Sequence, residues 1–265
     1  HTVWPNDDAA TALTKEDASD VIGFFWPYRA VLRDRRVFSR PIEDRGLQWW
    51  EVREVYRDRF RTPLSIAFAF VATHNHFVLD RGGKVFKQSA PVIKLPAGAT
   101  EEDHLALLGL LNSSTACFWM KQVFHAKGGD KTGDGGRRAV EAWHDRFEFD
   151  STKMQLFPVV KTSQRPLAYV KELDALATRR RTHDVPSVLG AEWSKANELR
   201  QRLAARRATD YRDFLVMVAT QEELDWLCYA LYGIDVDSDV VDVEEVEPLV
   251  PTALPWCVNL ASRDQ

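Results

Sequence analysis

The chain has 265 residues, 45% of them apolar and 28% charged, a globular make-up long enough for one large domain or two smaller ones. No apolar run approaches the roughly 20 residues that cross a bilayer, which argues against a membrane partner. The net charge of −4 conceals a basic body: residues 1–20 hold five acids and one Lys, residues 222–265 eleven acids and one Arg, and residues 21–221 carry 33 basic against 23 acidic side chains.

A basic body between acidic ends suits a polyanion-binding surface, the alternative being Arg-rich helices with solvated faces. Residues 1–20 lack the basic head and apolar centre of a secretory signal and read as a polar lead-in, expected to be a linker within a longer protein. Cys117, Cys228 and Cys257 stand far apart without metal-type spacing, the pattern of reduced thiols in a cytoplasmic protein. Next comes an aromatic anchor, Phe24-Phe25-Trp26-Pro27-Tyr28, and then ten Arg and six acids between Arg29 and Arg61. Trp49, Trp50, Arg53, Arg57, Arg59 and Arg61 cluster within that stretch. Guanidinium groups neutralise phosphate or fork onto guanine, and rings pack on sugars and bases. The bland alternative is a Trp core covered by Arg stems. We expect one Trp inside and some Arg outside.

Residues 63–95 read as β-structure. Pro63-LSIAFAFVAT is rich in Phe, Ile and Val. Phe77–Asp80 and Lys84–Lys87 flank Arg81-Gly82-Gly83, a turn suited to a hairpin, and Val92–Leu95 is a further strand. Thr100-Glu-Glu-Asp103 is a capping-box start for the apolar stretch Leu105–Phe124, LALLGLLNSSTACFWMKQVF, expected to be a helix buried on most sides. Asn112-Ser113-Ser114 interrupts it with side chains that bond local backbone or face a partner.

Lys127–Arg138 holds five glycines among charged side chains and must be an exposed loop, either a flexible connection or a basic loop that orders against DNA. It lacks the order of a phosphate-cradling P-loop. Phe147–Phe149 and Met154–Pro158 read as strands. From Pro166 the pattern turns helical, with stripes at Val170, Leu173, Leu176 and Ala177, and at Trp193, Ala196, Leu199 and Leu203 on a helix beginning near Gly190. Phe214–Val218 is a short apolar block. Thr220-Gln-Glu-Glu223 reads as a second capping box, opening a helix with its face at Leu224, Leu227, Cys228 and Leu231 and its stop at Gly233. Residues 235–249, acidic with alternating Val, are expected to form an edge strand or an ordered tail against a partner.

The candidate chemistry is that of binding. His74 and His76 share a face if the segment is extended, but no Cys, Asp or further His follows at a zinc-like spacing, so no metal site is assigned. The tripeptide His74-Asn75-His76 matches a nuclease family's name by accident. No Gly-rich cofactor loop follows a strand, and no Asn-Pro-Pro-Tyr tetrapeptide is present. No catalytic residue is assigned.

Several of these segments, in this order, resemble a known family. FFWPYRAVLRDRRVF, QWWEVREV, the PLSIAFAFVATHNHFVLDRGGKVFKQSAPVIKL sheet, LLGLLNSSTACFWMKQ, the KGGDKTGDGG loop and FEFDSTKMQLFPV are similar to the C-terminal target-recognition region of PglX-type adenine-specific DNA methyltransferases. Those enzymes belong to BREX phage defence, a type II restriction-modification-like group. ELDWLCYALYGID resembles the closing helix of many fused restriction-modification proteins. The resemblance implies a DNA-reading module beside a methyltransferase core that uses S-adenosylmethionine and flips an adenine from the duplex. It implies no cofactor in this fragment. Partners would be double-stranded DNA, the upstream methyltransferase domain and other phage-defence subunits.

The reading is therefore an α+β protein: a lead-in at 1–20, a recognition domain at 21–162 with a mixed sheet around a buried helix, a helical part at 163–234, and an acidic tail at 235–265. Its DNA contacts are expected at Trp49, Trp50, Arg53, Arg57, Arg59, Arg61, His74 and His76, with Arg81, Lys84, Lys127, Lys131, Arg137 and Arg138 on groove or phosphate. The alternative is a protein-interaction module docking other defence subunits.

Overall fold

A computed structural model describes residues 5–7, 11–37, 39–52, 64–82, 84, 86–127, 146–161, 164–181, 196–234 and 239–250. Arg53, Arg57, Arg59, Arg61, Lys131, Arg137, Arg138, Cys257 and the expected helix start near Gly190 lie outside them. The fold is α+β, with helices predominating over short antiparallel sheets. The chain divides into two units, residues 1–63 and 64–265.

The first unit is built on short elements: α1 (Ser19–Phe25), a 3-10 turn at Trp26–Tyr28, α2 (Arg29–Arg33), and a two-stranded hairpin of β1 (Arg36–Val37) and β2 (Arg40–Pro41). Pro27 lacks a donor N–H, which accounts for the tightened turn between α1 and α2. The small core joins Ala18, Trp49 and Trp50 to Leu13, Ile22, Phe25 and Leu32. Arg35 locks it in place, donating to the carbonyls of Leu32 (2.9 Å), Trp49 (2.7 Å) and Glu51 (3.0 Å). That makes Arg35 a structural cation: it satisfies three backbone acceptors at once.

The second unit centres on β3 (Ser65–Phe68), whose four residues are all buried. A strand buried on both faces takes the middle of its sheet. Accordingly β3 lies between β5 (Phe77–Asp80) and β6 (Val92–Ile93), with Ile66 opposite Leu79 on one side and Ile93 on the other. This overturns the expected hairpin of Phe77–Asp80 with Lys84–Lys87. The turn at Gly82 has the anticipated positive φ of 97°, but Lys84, Phe86 and Lys87 fall outside any strand. A second sheet orders β4 (Val71–Ala72), β8 (Phe147–Glu148) and β7 (His125–Ala126).

The expected helix buried on most sides is two helices, α3 (Glu101–Asn112) and α4 (Ser114–Val123), and α4 buries only Ala116 and Met120 while Phe118 is exposed. Thr100 and Asp103 form the expected capping box at its start. Ser113 makes the break: its backbone is extended, its hydroxyl donates to Leu110 O (2.7 Å), and the same oxygen caps Ala116 N–H (3.1 Å). The freed carbonyls are not left dry. Asn75 donates to Leu111 O (2.7 Å) and Ser113 O (3.2 Å), while Asn112 exchanges two 3.0 Å bonds with the backbone of Phe77.

Three further expectations change. Met154–Pro158 is not a strand: Asp150 caps the Lys153 N–H at 2.9 Å and nucleates the short α5 (Ser151–Met154). Thr220 is not a helix start. It sits buried inside α7 (Ala196–Leu231), a continuous helix of 36 residues, and its hydroxyl donates back to Val216 O (2.8 Å). The acidic segment forms no edge strand among its described residues, but a 3-10 turn at Val243–Glu245. It packs on its own unit, tied by Tyr169 to Val241 O and by Arg165 to Val240 O. Gly233, at φ 67°, closes α7 as expected.

The core of the second unit runs from the first sheet through α3 to α6 (Gln164–Arg181) and α7, gathering Ile66, Phe77, Leu110, Leu111, Tyr169, Val170 and Leu224. Gly109 lies where α3 meets α6, and a Cβ there would overlap a Val170 methyl.

Candidate nucleic-acid interface

Of the sequence-predicted contacts, Trp49 and Trp50 are core residues, 8% and 6% exposed, with ring centroids 5.5 Å apart in an edge-on arrangement. The expectation of one ring outside is corrected: both rings pack with Ala18, Leu13, Ile22, Phe25 and Leu32. Among the described residues, the exposed aromatics of that unit are instead Phe24, Trp26 and Tyr28, with Arg29 stacked 4.8 Å over Trp26.

In the second unit three predicted cations already have carboxylate partners. Arg81 bridges Glu101 (2.7 Å) and Asp174 (2.6 Å), and those two acids hold its guanidinium well above the usual arginine value. Lys84 lies 3.3 Å from Asp80, and Lys127 2.5 Å from Glu148 with its amine 5.5 Å over the Phe70 ring. Arg81 thus ties the end of the first sheet to α3 and α6.

His74 and His76 are different. Both are exposed, and their rings lie 4.1 Å apart, tilted by 54°. The intervening Asn75 points the other way and is bolted to the α3–α4 break through Leu111 O and Ser113 O. That anchor sets the His pair beside α4, whose Lys121 is close enough to act electrostatically on His74. Desolvation first, then His76 and Lys121, push the His74 imidazole below its ordinary value. Thr73 Oγ1 sits 2.7 Å from His74 Nδ1. Lys121 also reaches 6.0 Å from the Phe147 ring on β8.

The β7–β8 pair carries the root of the predicted basic loop. His125 is opposite Glu148, Ala126 is opposite Phe147, and Lys127 N–H donates to Arg146 O at 2.6 Å. Lys127 and Arg146 are therefore held together next to Phe147. The structure brings together His74, His76, Lys121 and this hairpin. Lys121 was missed in the sequence, because its neighbours are set by Asn75 reaching across 36 residues to Leu111.

A cavity of about 350 Å³ opens elsewhere in this unit, lined by Phe68, Ile93, Leu107, Met154 and Phe157 with Lys94 among them. It has no carboxylate to hold a ribose diol, so it does not fit S-adenosylmethionine. No helix among the described residues is long and apolar enough to cross a membrane.

No family profile matches the chain. Its likeness lies instead with the adenine-specific methyltransferases. The adenine-specific methyltransferase PglX of Streptomyces coelicolor is 46% identical over 216 residues, covering 80% of this chain. The match spans 17% of that relative's length.

Proposed function

We propose that this chain is a DNA target-recognition domain of an adenine-specific methyltransferase of the PglX type, acting in phage defence. It would read duplex DNA and present it to a methyltransferase core that uses S-adenosylmethionine. The observation that carries the reading is the 46% identity to PglX over 80% of the chain, coupled to a basic body at residues 21–221. Identity of that extent across the chain, with only 17% of the relative covered, fits one module of a larger enzyme.

The chain's own task under this reading is to position. Base discrimination comes from contacts in the grooves, while phosphate contacts set register. Arg53, Arg57, Arg59 and Arg61 are assigned to the duplex from the first unit, and Lys131, Arg137 and Arg138 from the loop. His74 and His76 are assigned from the second unit. Arg81, Lys84 and Lys127 would reach phosphate only by exchanging the carboxylates that hold them. No methyl-transfer step is assigned to these residues.

The test is fluorescence anisotropy of the chain on a mixed-sequence duplex across a salt series. A protein making six to ten phosphate contacts loses roughly three to five decades of affinity between about 50 and 200 mM salt. Weak binding that salt does not change would point to the second reading, docking of another defence subunit. That reading is favoured by the exposed Phe24, Trp26, Tyr28 and Val31 of the first unit.

A further inference from the structure

We propose that His74, His76 and Lys121 form a phosphate subsite in which His74 takes up a proton as the anion binds. The source of the phosphate, the backbone of duplex DNA, rests on the reading above.

The geometry makes the argument. Two imidazoles lie in ring contact at 4.1 Å, Lys121 acts electrostatically on one of them, and all three belong to exposed residues. The charged groups acting on His74 are His76, on its own segment, and Lys121 from α4; among the described residues no carboxylate joins them. This contrasts with Arg81, Lys84 and Lys127, each balanced by an acid. An ammonium beside an imidazole disfavours protonating that imidazole unless an anion binds with them. The cluster is also rigidly placed. Asn75 fixes the His segment to the helix break, and Lys121 is carried two turns along the helix that begins there.

The chemistry of the occupant follows. A phosphodiester offers two unesterified oxygens and a single permanent charge, matching an ammonium and an imidazolium N–H. With the anion absent, desolvation and the nearby His76 and Lys121 hold the His74 imidazole below its ordinary value. With it present, the repulsion is offset and a proton is drawn from solvent onto an imidazole. Nothing is broken or oxidised: one proton moves from water to nitrogen. Binding therefore tightens as pH falls, by at most about tenfold per pH unit for each proton taken up.

The direct experiment is proton NMR of the imidazoles in the whole 265-residue chain, titrated in sodium sulfate and in sodium chloride at equal ionic strength. Sulfate is a non-titrating stand-in for a phosphodiester. The His74 midpoint should rise by about half a pH unit or more in sulfate, and the rise should shrink in K121Q. A midpoint that is the same in both salts overturns the subsite.

Duplex binding between about pH 8 and pH 6 separates this proposal from the DNA reading. The wild-type chain should bind more tightly at the lower pH, H74Q/H76Q should lose that dependence, and K121Q should lower the salt slope by about one. Steep salt dependence without any pH dependence would refute the subsite and leave the recognition domain standing. A sulfate shift without duplex binding would keep the anion subsite and remove DNA as its source.

Discussion

Single residues hold the second unit at its most constrained point, the break between α3 and α4. Asn112 there makes both hydrogen bonds that a strand neighbour would give Phe77, and Phe77 is 6% exposed. N112A should cost about 1–3 kcal/mol, since it strands a buried N–H and C=O. Urea unfolding reads this as a lowered midpoint, and an unchanged midpoint would show that water replaces the amide. Gly109 is constrained by space, because any side chain meets the stiff, branched Val170. G109A should cost about 1–3 kcal/mol through overpacking. His74 gives stability a pH dependence of definite sign. Its folded-state value is depressed, so the unfolded chain binds the proton more readily. Stability is thus complete above the ordinary imidazole value and declines as pH falls through the folded one. Thermal midpoints in chloride should drop on mild acidification in the wild type, and less in H74Q/H76Q.

At the scale of elements, the tail at 239–250 is held by side chains from α6. Tyr169, 1% exposed, donates to Val241 O, and Arg165 donates to Val240 O at 2.5 Å. Y169F keeps the ring and removes the donor. It should cost about 1 kcal/mol and raise hydrogen exchange across 239–250 more than in α3; uniform exchange would mean the bond does not anchor the tail. Element starts marked by local chemistry were legible in the sequence. The Thr100–Asp103 box and the Gly233 stop read correctly because their hydrogen bonds and φ are set within a few residues. Thr220 carried the same signature and misled, because burial inside α7 turned its hydroxyl back onto Val216. Met154–Pro158 misled in the opposite sense, its strand-like composition losing to the Asp150 cap. Which strand pairs with β5 depended on the two-sided burial of β3, a tertiary property that no local pattern reports.

For the whole molecule, the candidate interface was legible as composition and only partly as place. A basic body and the His pair were visible in the sequence. Neutralisation of Arg81 by Asp174, 93 residues away, was not, and neither was the approach of Lys121 to His74. The first depends on α6 packing beside α3, and the second on the place of α4 after the helix break. A module that reads sequence must do more than bind a polyanion, and this separates target recognition from a merely basic surface. The decisive measurement is selection of duplexes from a randomised pool by the whole chain at physiological salt, followed by sequencing of the bound fraction. Target recognition predicts a single short motif, enriched more strongly in each round. A bound pool that keeps the base composition of the input would contradict it.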